Sequence, residues 1–490
     1  MTSTASIPVV SPHDDHDAAA LAKRNRLVIG LLLVSAFVVI LNETTMGVAI
    51  PHLVGDLGIT IGAAQWLSTA FLLTMAIVIP ITGFLLQRYN TRPVFIAAMT
   101  LFSLGTLIAA ASPGFELLLV ARVIQASGTA IMMPLLFTTV LNLVPPASRG
   151  RVIGNVSIVI SVAPALGPTI SGFILNYLEW RWIFILVLPI ALAALAIGAR
   201  LMVNVTEPSS ARIDVLSIIL AAFGFGGLVY GLSNLGTEYA LAGIIALAIG
   251  VVGLAVFIWR QLRLQRTDAA LLDLRTFLSR DFSFSIGTVA ISMIALFGTI
   301  ILLPIYMQDV LGLKPIETGL VLLPGGLLMG LLAPIVGRIF DRFGPRILLV
   351  PGAIVVSASL WGMTMLDAAS PVWWVIAAHV VLSLGLALLF TPLFTAGLAS
   401  LTPKLYSHGS AIVGTVQQVA GAAGTALFVA IMTVGTTSAV AAGAPLDEAT
   451  AAGIRTAFTI GAIISVFAIP AVFFIRRPVE DPNAEWQPSH

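Results

Sequence analysis

Long apolar stretches of about 20 residues alternate with short polar segments along almost the whole chain. An α-helix rises about 1.5 Å per residue, so a stretch of this length crosses the hydrocarbon core of a bilayer. Barrel strands would be about half as long and would alternate polar and apolar side chains. The pattern predicts an all-α protein with fourteen transmembrane spans, at residues 27–53, 61–86, 93–111, 115–144, 150–176, 181–203, 213–233, 239–259, 282–308, 315–340, 346–366, 372–398, 409–437 and 455–475.

The composition supports a membrane protein and excludes several other classes. The chain is 58% hydrophobic and 9% charged, whereas soluble domains carry about 25% charged residues. It has no cysteine, hence no disulfide and no thiolate metal site. It has no phosphate-binding loop, hydrolase signature or long basic run. We therefore expect an integral membrane protein in a lipid bilayer that is not an enzyme, uses no cofactor, metal or ATP, and binds no nucleic acid.

Basic residues are distributed unequally between the two sides of the predicted membrane. If the N-terminus lies inside, all but four of the 24 Lys and Arg residues fall on the inner side or its flanks. Arg181, Lys314 and Arg455 lie in outer loops, and Arg122 lies within the fourth span. This is the bias of the positive-inside rule, and an odd number of spans would destroy it. We expect a multi-pass protein of the bacterial inner membrane with both termini in the cytoplasm.

An internal repeat divides the chain into two halves. Pro51 and Pro304 lie near the ends of the first and ninth spans, 253 residues apart, and residues 83–92 match residues 337–346 at a separation of 254. Two homologous halves with a site between them are typical of alternating-access transporters. The predicted units are a disordered cytoplasmic tail at 1–26, six-helix halves at 27–203 and 282–475, two inserted helices with linkers at 204–281, and a second cytoplasmic tail at 476–490.

Glu43 is the one acidic residue that the pattern places well inside a span. A carboxylate in hydrocarbon costs several kcal/mol unless it has a partner, a proton or water around it, so such residues usually handle ions or substrate. A carboxyl group at this depth suits proton binding and release. The alternative is a structural carboxyl that bonds to its neighbours Asn42 or Thr44.

Arg122 is the corresponding cation, with Gln125 and Gly128 on the same face of the fourth span. A buried guanidinium stays charged and needs acceptors. It could pair with Glu43 directly, through water, or with backbone carbonyls of the first span. A purely structural clamp between helices is the alternative, because buried ion pairs often do only that.

Other polar and aromatic residues within the spans are candidates for a substrate cavity. His379 could titrate near neutral pH, although a lone histidine on an apolar helix more often packs as a hydrogen-bonded residue. Polar amides within spans also commonly bridge helices, and aromatic residues also face lipid. The candidate substrate-binding residues are Asn42, Trp66, Gln125, Met133, Asn155, His379, Gln417 and Gln418.

Two further segments suggest conformational change. The repeated loops combine a small residue, a tight turn and spaced arginines that can dock onto carboxylates or helix ends and hold a gate, although the arginines also serve topology. Their candidate residues are Gly83, Arg88, Arg92, Gly337, Asp341, Arg342 and Arg346. In the fifth span, prolines bend the helix and small residues allow close contact; the candidates there are Pro164, Gly167, Pro168 and Gly172.

These motifs resemble signatures of the major facilitator superfamily, specifically its fourteen-helix branch of drug:proton antiporters. The loops at 83–92 and 337–346 resemble the signature G-x-x-x-D-R-x-G-R. Residues 122–128 resemble the signature of the fourth span, which implies a part in proton coupling for Arg122. Residues 167–172 resemble the antiporter signature G-P-x-x-G-G, which implies export rather than uptake.

The resemblance narrows to the lincomycin-resistance group of this branch. Asn42-Glu43-Thr44 and Gln87-Arg88 are similar to that group, whereas other members commonly have aspartate where this chain has Asn42. Gln87 replaces the usual loop aspartate, and Asp341 retains it in the second copy. The departure at Gln87 weakens the argument for a charge relay in the first loop.

The resemblance implies a monomeric exporter that exchanges protons for small hydrophobic drugs, including lincosamides such as lincomycin. An exporter or symporter of an endogenous metabolite or lipid is the first alternative, and uptake or insensitivity to a protonophore would indicate a symporter or uniporter. The second alternative is a receptor built on a transporter scaffold, which would need a long soluble signalling domain that we do not expect here.

Overall fold

The computed structural model describes residues 12–205, 214–234 and 239–476, and every regular element in these ranges is helical. The α-helices are α1 Pro12–Leu57, α2 Ile61–Arg88, α3 Thr91–Ala111, α4 Phe115–Leu143, α5 Arg149–Tyr177, α6 Arg181–Leu201, α7 Val215–Ala221, α8 Gly227–Asn234, α9 Ala240–Leu264, α10 Arg280–Ile305, α11 Pro315–Phe343, α12 Arg346–Met363, α13 Val372–Ala399, α14 Tyr406–Ala441, α15 Leu446–Val466 and α16 Ala468–Val472. The π-helical segments Ala222–Gly226 and Tyr306–Val310 join α7 to α8 and extend α10.

In the described ranges, 14 helices are long and apolar enough to cross a membrane, which confirms the predicted number of spans. α7 and α8 form one span, and α15 and α16 form another. The last span begins at Leu446 rather than at residue 455. Asp447 and Glu448 occupy its first turn, where acidic residues interact favourably with the helix dipole, so the helix extends beyond its apolar part.

The two predicted tails differ from expectation in one respect. Residues 12–26, predicted to be disordered, are helical and continue directly into the first span. Their sequence contains the alanine-rich run 18–22, and alanine has the highest intrinsic helix propensity, so polarity alone was a poor guide. Residues 1–11 and 477–490 lie outside the described part of the structure.

The first six and last six spans pack in the same way. α1 contacts α4, α5 and α6, while α3 contacts α4 and α6, and α2 contacts α4. The equivalent helices repeat this pattern: α10 contacts α13, α14 and α15, while α12 contacts α13 and α15, and α11 contacts α13. The chain therefore builds one six-helix arrangement twice, with α7 to α9 between the two copies.

The repetition extends to single residues where helices approach closely. A Cβ atom on Gly128 of α4 would lie 2.3 Å from the carbonyl oxygen of Ala98 on α3. On the equivalent helices, a Cβ atom on Gly385 would lie 3.1 Å from the carbonyl oxygen of Gly352. Small residues at such crossings let helix backbones pack directly, which is the main source of helix association in a membrane.

The halves meet through α5 on α11 and through α2 on α14. We call the end of the bundle where the α2–α3, α4–α5, α11–α12 and α13–α14 connections lie the basic end, because most Lys and Arg residues belong to it. Near this end the rings of Phe137 and Phe394 are 5.5 Å apart, and the Thr138 hydroxyl donates to the Ser410 hydroxyl at 3.3 Å. The two halves are thus packed together at the basic end.

The inserted helices form a hairpin against the boundary between the halves. α8 packs on α9, where a Cβ atom on Gly227 would lie 2.8 Å from the Cα atom of Gly250. α8 also contacts both α2 and α14, the pair that joins the halves on one side. The ring of Tyr230 on α8 lies 5.7 Å from that of Trp66 on α2.

Candidate functional site

Arg122 lies at the centre of a buried polar cluster in the first half. Its side chain is 1% exposed and donates to the Gln125 side-chain oxygen at 2.6 Å, to the Asn42 side-chain oxygen at 3.3 Å and to the Leu67 carbonyl at 3.4 Å. The guanidinium also lies 4.0 Å from the ring centroid of Phe71. These contacts satisfy a charge that could not otherwise remain in an apolar interior.

Gln125 extends this cluster, which we call the Arg122 cluster, to a fourth helix. Its side-chain nitrogen donates to the Thr106 hydroxyl on α3 at 2.8 Å. The cluster therefore joins α1, α2, α3 and α4 around one cation. The side-chain nitrogen of Asn42 is buried without a hydrogen-bond partner among the described residues. An unsatisfied buried donor costs about 1–3 kcal/mol, so the Asn42 nitrogen is an open hydrogen-bonding position of the cluster.

Glu43 lies beside the cluster but outside its hydrogen bonds. Its side chain is half-buried on α1, and no ion pair joins it to Arg122 in this structure. Of the pairings expected for Arg122, the direct ion pair with Glu43 is absent here, and the span-one partner is the side chain of Asn42 instead of a backbone carbonyl. The hydrogen bonds of the cluster therefore do not involve the Glu43 carboxyl group.

The segment of α5 from Pro164 to Gly172 packs against α1 at Thr44, the residue after Glu43. A Cβ atom on Gly167 would lie 2.1 Å from the hydroxyl oxygen of Thr44, so α1 and α5 touch at this point. Ser171, which replaces a glycine of the expected signature, is buried and donates to the Thr45 carbonyl at 2.9 Å. By contrast, a Cβ atom on Gly172 would meet nothing within 4 Å.

The prolines of this segment give less information. Pro164 lies half-buried within α5, which continues through it to Tyr177. The side chain of Pro168 lies outside the described part of the structure. Of the four segment candidates, Gly167 therefore has the clearest packing role.

Asp341, from the second copy of the loop motif, bridges the two halves. Its two carboxylate oxygens accept from the backbone N–H groups of Gly150 and Arg151, each at 2.8 Å. These groups lie at the N-terminus of α5, where a carboxylate both caps free donors and interacts favourably with the helix dipole. Gly337, one turn earlier on α11, has room for no side chain because a Cβ atom would lie 2.2 Å from the Gly150 carbonyl oxygen.

The first copy of the motif makes a weaker connection on the opposite side. Gln87 donates from its side-chain nitrogen to the Lys404 carbonyl at 2.7 Å, just before α14. A Cβ atom on Gly83 would lie 3.2 Å from the Nδ1 atom of His408, a less severe approach than at Gly337. Asp341 thus places a charged cap on α5, whereas the equivalent position in the first loop, Gln87, makes a neutral hydrogen bond near α14.

The outer arginines of the loops brace their own halves. Arg92 donates to the Ala199 carbonyl near the end of α6, and Arg346 donates to the Phe473 carbonyl at 3.0 Å, just after α16. Cationic groups satisfy the free carbonyls at helix C-termini. The guanidinium of Arg342 lies 5.1 Å from the ring of Phe343. None of these contacts crosses between the halves, so Arg92 and Arg346 brace the last helix of each half and not the gate. Arg88 also interacts with its surroundings.

His379 occupies the position in the second half that Arg122 occupies in the first. The segments Ala121-Arg122-Val123 and Ala378-His379-Val380 are 257 residues apart. His379 is 7% exposed, faces the backbone of Leu322 on α11, and has no partner for its Nδ1 atom among the described residues. With the same separation as Pro51 and Pro304, 253 residues, Leu296 is equivalent to Glu43. The second half thus has a buried histidine but no equivalent acid.

The remaining candidates lie apart from the Arg122 cluster. Gln418 on α14 donates to the sulfur of Met75 on α2 at 3.7 Å, across the boundary between halves. Asn155, Met133 and Gln417 are half-buried in the described structure. Trp66, predicted to line a substrate cavity, is 38% exposed, and its ring packs against Tyr230 of the inserted hairpin. The sequence did not indicate this neighbour, because periodicity within one helix does not reveal which helix lies opposite.

Sequence reasoning missed two parts of the site. Thr106 was not singled out because a threonine within an apolar span carries no distinctive pattern. Phe71 covers the Arg122 guanidinium, a contact that an aromatic residue within an apolar span does not reveal from the sequence. No group of three or more His, Asp or Glu residues in the described ranges could hold a metal ion.

Comparisons with known proteins agree with this architecture. The family model of the Major Facilitator Superfamily matches residues 32–425. The uncharacterized MFS-type transporter YcnB of Bacillus subtilis is 40% identical over 469 residues, covering 94% of this chain and 97% of that protein. The lincomycin resistance protein LmrB of Listeria monocytogenes is 40% identical over 457 residues, covering 92% and 96%.

A more distant relative and a solved structure extend the comparison. The multidrug resistance protein B homolog of Mycobacterium tuberculosis is 30% identical over 423 residues, covering 84% of this chain and 77% of that protein. The proton:xylose symporter XylE has the same fold, with a TM-score of 0.62, 14% identity and coverage of 91% and 95%. The chain therefore belongs to the Major Facilitator Superfamily, and it is a membrane transporter and not an enzyme.

Proposed function

We propose that this transporter exports hydrophobic drugs in exchange for protons, and that lincosamides such as lincomycin are among its substrates. The observation that carries the proposal is Glu43, a carboxyl group within a span, half-buried beside a fully bonded Arg122. Acidic residues in such positions generally serve ion or proton transfer, because keeping them costs stability. The relatives named for lincomycin and multidrug resistance supply the substrate class.

The geometry suggests how one proton could be coupled to one drug molecule. With Glu43 ionised, its charge is offset by Arg122 and by water or a polar substrate on its open side. With Glu43 protonated, that attraction is lost, and Asn42 can donate to the neutral carboxyl from its unpaired nitrogen. Because Gly167 packs against Thr44, a shift of α1 at Glu43 would move α5, which joins the two halves.

The driving force and setting follow from the same proposal. A proton entering down a potential of 100 mV releases about 2.3 kcal/mol, enough to bias the cycle towards export. The protein would act as a monomer in the bacterial inner membrane, with its basic end and both termini in the cytoplasm. The second half would not bind a proton at the equivalent position, because Leu296 stands there in place of an acid.

The test is lincomycin-induced proton release from everted membrane vesicles. Glu43→Gln keeps the shape and removes the titration, so we expect proton release and protonophore-sensitive efflux to fall at least tenfold at an unchanged protein level. Glu179→Gln removes an exposed acid in an ion pair with Arg181 and serves as the matched control. Proton release and drug efflux equal to wild type in Glu43→Gln would contradict the proposal.

A further inference from the structure

The linker between the inserted hairpin and the second half is an ordered part of the basic end. Residues 270–273 are at most 4% exposed. The side-chain oxygen of Gln261 on α9 accepts from the backbone N–H groups of Leu271 at 2.8 Å and Leu272 at 3.3 Å. Its nitrogen donates to the Ser217 hydroxyl on α7 at 2.8 Å. One buried glutamine therefore fixes the linker to both helices of the hairpin.

Asp268 stands at the bend of this linker in an unusual conformation. It has φ 53° and ψ 27°, and it is the only residue other than glycine with positive φ in the described ranges. Aspartate tolerates this left-handed region better than most residues, but holding it there requires compensation from the surroundings. Its carboxylate accepts from Lys404 at 2.8 Å and from Arg275 at 2.6 Å. Hydrogen bonds from these two groups lower the pKa of Asp268 to about 2.

Lys404 links this linker to the first half. Its carbonyl accepts from Gln87 at the end of α2, while its ammonium group binds Asp268. Two residues later α14 begins, and His408 on its first turn is 2% exposed and faces the backbone of Leu271. The α2 end, the α14 start and the hairpin linker thus converge on one short segment.

The two loop motifs make hydrogen bonds of different strength between the halves. On one side, Asp341 supplies two charge-assisted hydrogen bonds to α5. On the other, Gln87 supplies one neutral bond. Charge-assisted bonds are roughly twice as strong as neutral ones, so the Gln87 contact is by itself weaker than the Asp341 cap.

We propose that the hairpin linker is a latch for the α2–α14 side, in which Asp268 positions Lys404 so that its carbonyl can receive Gln87. Asp268 and Lys404 are positioning residues, because they act through the Gln87 contact and not on the substrate. The inserted helices thereby gain a role in the closing of the basic end. The inference rests on the proposed function only in requiring that the halves separate at this end during transport.

Because the chain has no cysteine, a single reporter can be introduced directly. Ser410 is 1% exposed, and its hydroxyl accepts a hydrogen bond from Thr138 of the other half. Ser410→Cys therefore places a thiol at a position that is buried while the basic end is closed. Its reaction rate with membrane-permeable N-ethylmaleimide then measures opening of the basic end, whatever drives transport. The labelling rate therefore tests the latch, whereas proton release from Glu43→Gln vesicles tests the proposed function, and either can fail without the other.

The variants form a double-mutant cycle on this reporter. Asp268→Asn keeps the shape of a residue suited to positive φ, and Lys404→Met keeps the stem without the charge. We expect each single change to raise the labelling rate about threefold, as for an exposed ion pair, and the double change to raise it no further. Lys404→Arg should retain the wild-type rate, and Asp447→Asn, an exposed acid at the start of α15, should do the same.

Two results would overturn the latch. Labelling rates in both single variants equal to wild type would mean that the contact does not hold the gate. A ninefold increase in the double variant would mean that the two residues act independently. The labelled reporter remains informative even if a variant lowers protein level, because the rate is measured per molecule.

Discussion

Replacing Asp341 with asparagine tests the proposed closure of the basic end most directly. Asp341→Asn keeps the size of the side chain but leaves one acceptor oxygen for two backbone donors on α5. One hydrogen bond to a charged group contributes about 1.5–3 kcal/mol, and a carboxylate at a helix N-terminus adds about 0.3–1 kcal/mol. Partial exposure of the site favours the lower end, so we take about 2 kcal/mol.

At about 1.4 kcal/mol per factor of ten, this loss shifts the balance between closed and open basic ends roughly 30-fold. The matched control is Gln87→Ala, which removes one neutral bond from the other side, about 1 kcal/mol or roughly fivefold. Ser157→Cys provides the reporter, since Ser157 is 4% exposed on α5 and accepts from Thr391 on α13.

The measurement is the rate of maleimide labelling of Cys at position 157 in membranes, in each background. We expect Asp341→Asn to label fastest, Gln87→Ala to be intermediate and the reporter alone to be slowest. If Gln87→Ala labels as fast as Asp341→Asn, or if Asp341→Asn leaves the rate unchanged, the unequal contribution of the two loops is refuted.

Two further predictions concern packing and pH. Gly167→Ala should abolish efflux or lower the melting temperature by several degrees, because the added methyl group would overlap Thr44. Gly172→Ala should retain wild-type efflux and melting temperature, because its methyl group has open space. Equal behaviour of the two variants would contradict the α1–α5 contact. Hydrogen bonds from Arg260, and secondly from Ser217, lower the pKa of Asp214 to about 2, so the pair stabilises the fold above about pH 4 and loses this effect as the pH falls through about 2. At pH 7 the Asp214→Asn variant should therefore have a free energy of unfolding about 1 kcal/mol below that of wild type, after allowing for solvent screening. In melts of the detergent-solubilised protein, the difference between the two proteins should become smaller near pH 3. A difference that does not change with pH would assign the loss to packing.

The apolar pattern was sufficient for the overall architecture because a bilayer imposes it. Backbone groups in hydrocarbon must bond within their own segment, so each long apolar stretch has to form a helix of membrane length. The repeat between residues 83–92 and 337–346 likewise predicted two similar halves, which the packing of α1 to α6 and α10 to α16 reproduces. Helix ends were less predictable, as at Leu446, because a helix can extend beyond the membrane with charged residues in its first turn.

The partners of individual residues were not predictable in the same way. The sequence singled out Glu43 and Arg122 because ionisable groups in hydrocarbon are costly. It could not show that Arg122 binds Asn42 and Gln125 while Glu43 stays unpaired. That choice depends on the rotation and depth of four helices relative to one another, which side-chain packing between them decides.

The sequence alone established the number of spans, the repeat, the distribution of charge, and the acid and the arginine within the membrane core. Only the tertiary structure decided that Asp341 caps α5, that Trp66 faces the inserted hairpin, and that the hairpin linker reaches Lys404. The physical reason is that hydrophobicity acts on each segment separately, whereas hydrogen bonds and close helix contacts depend on atoms brought together from residues far apart in the chain.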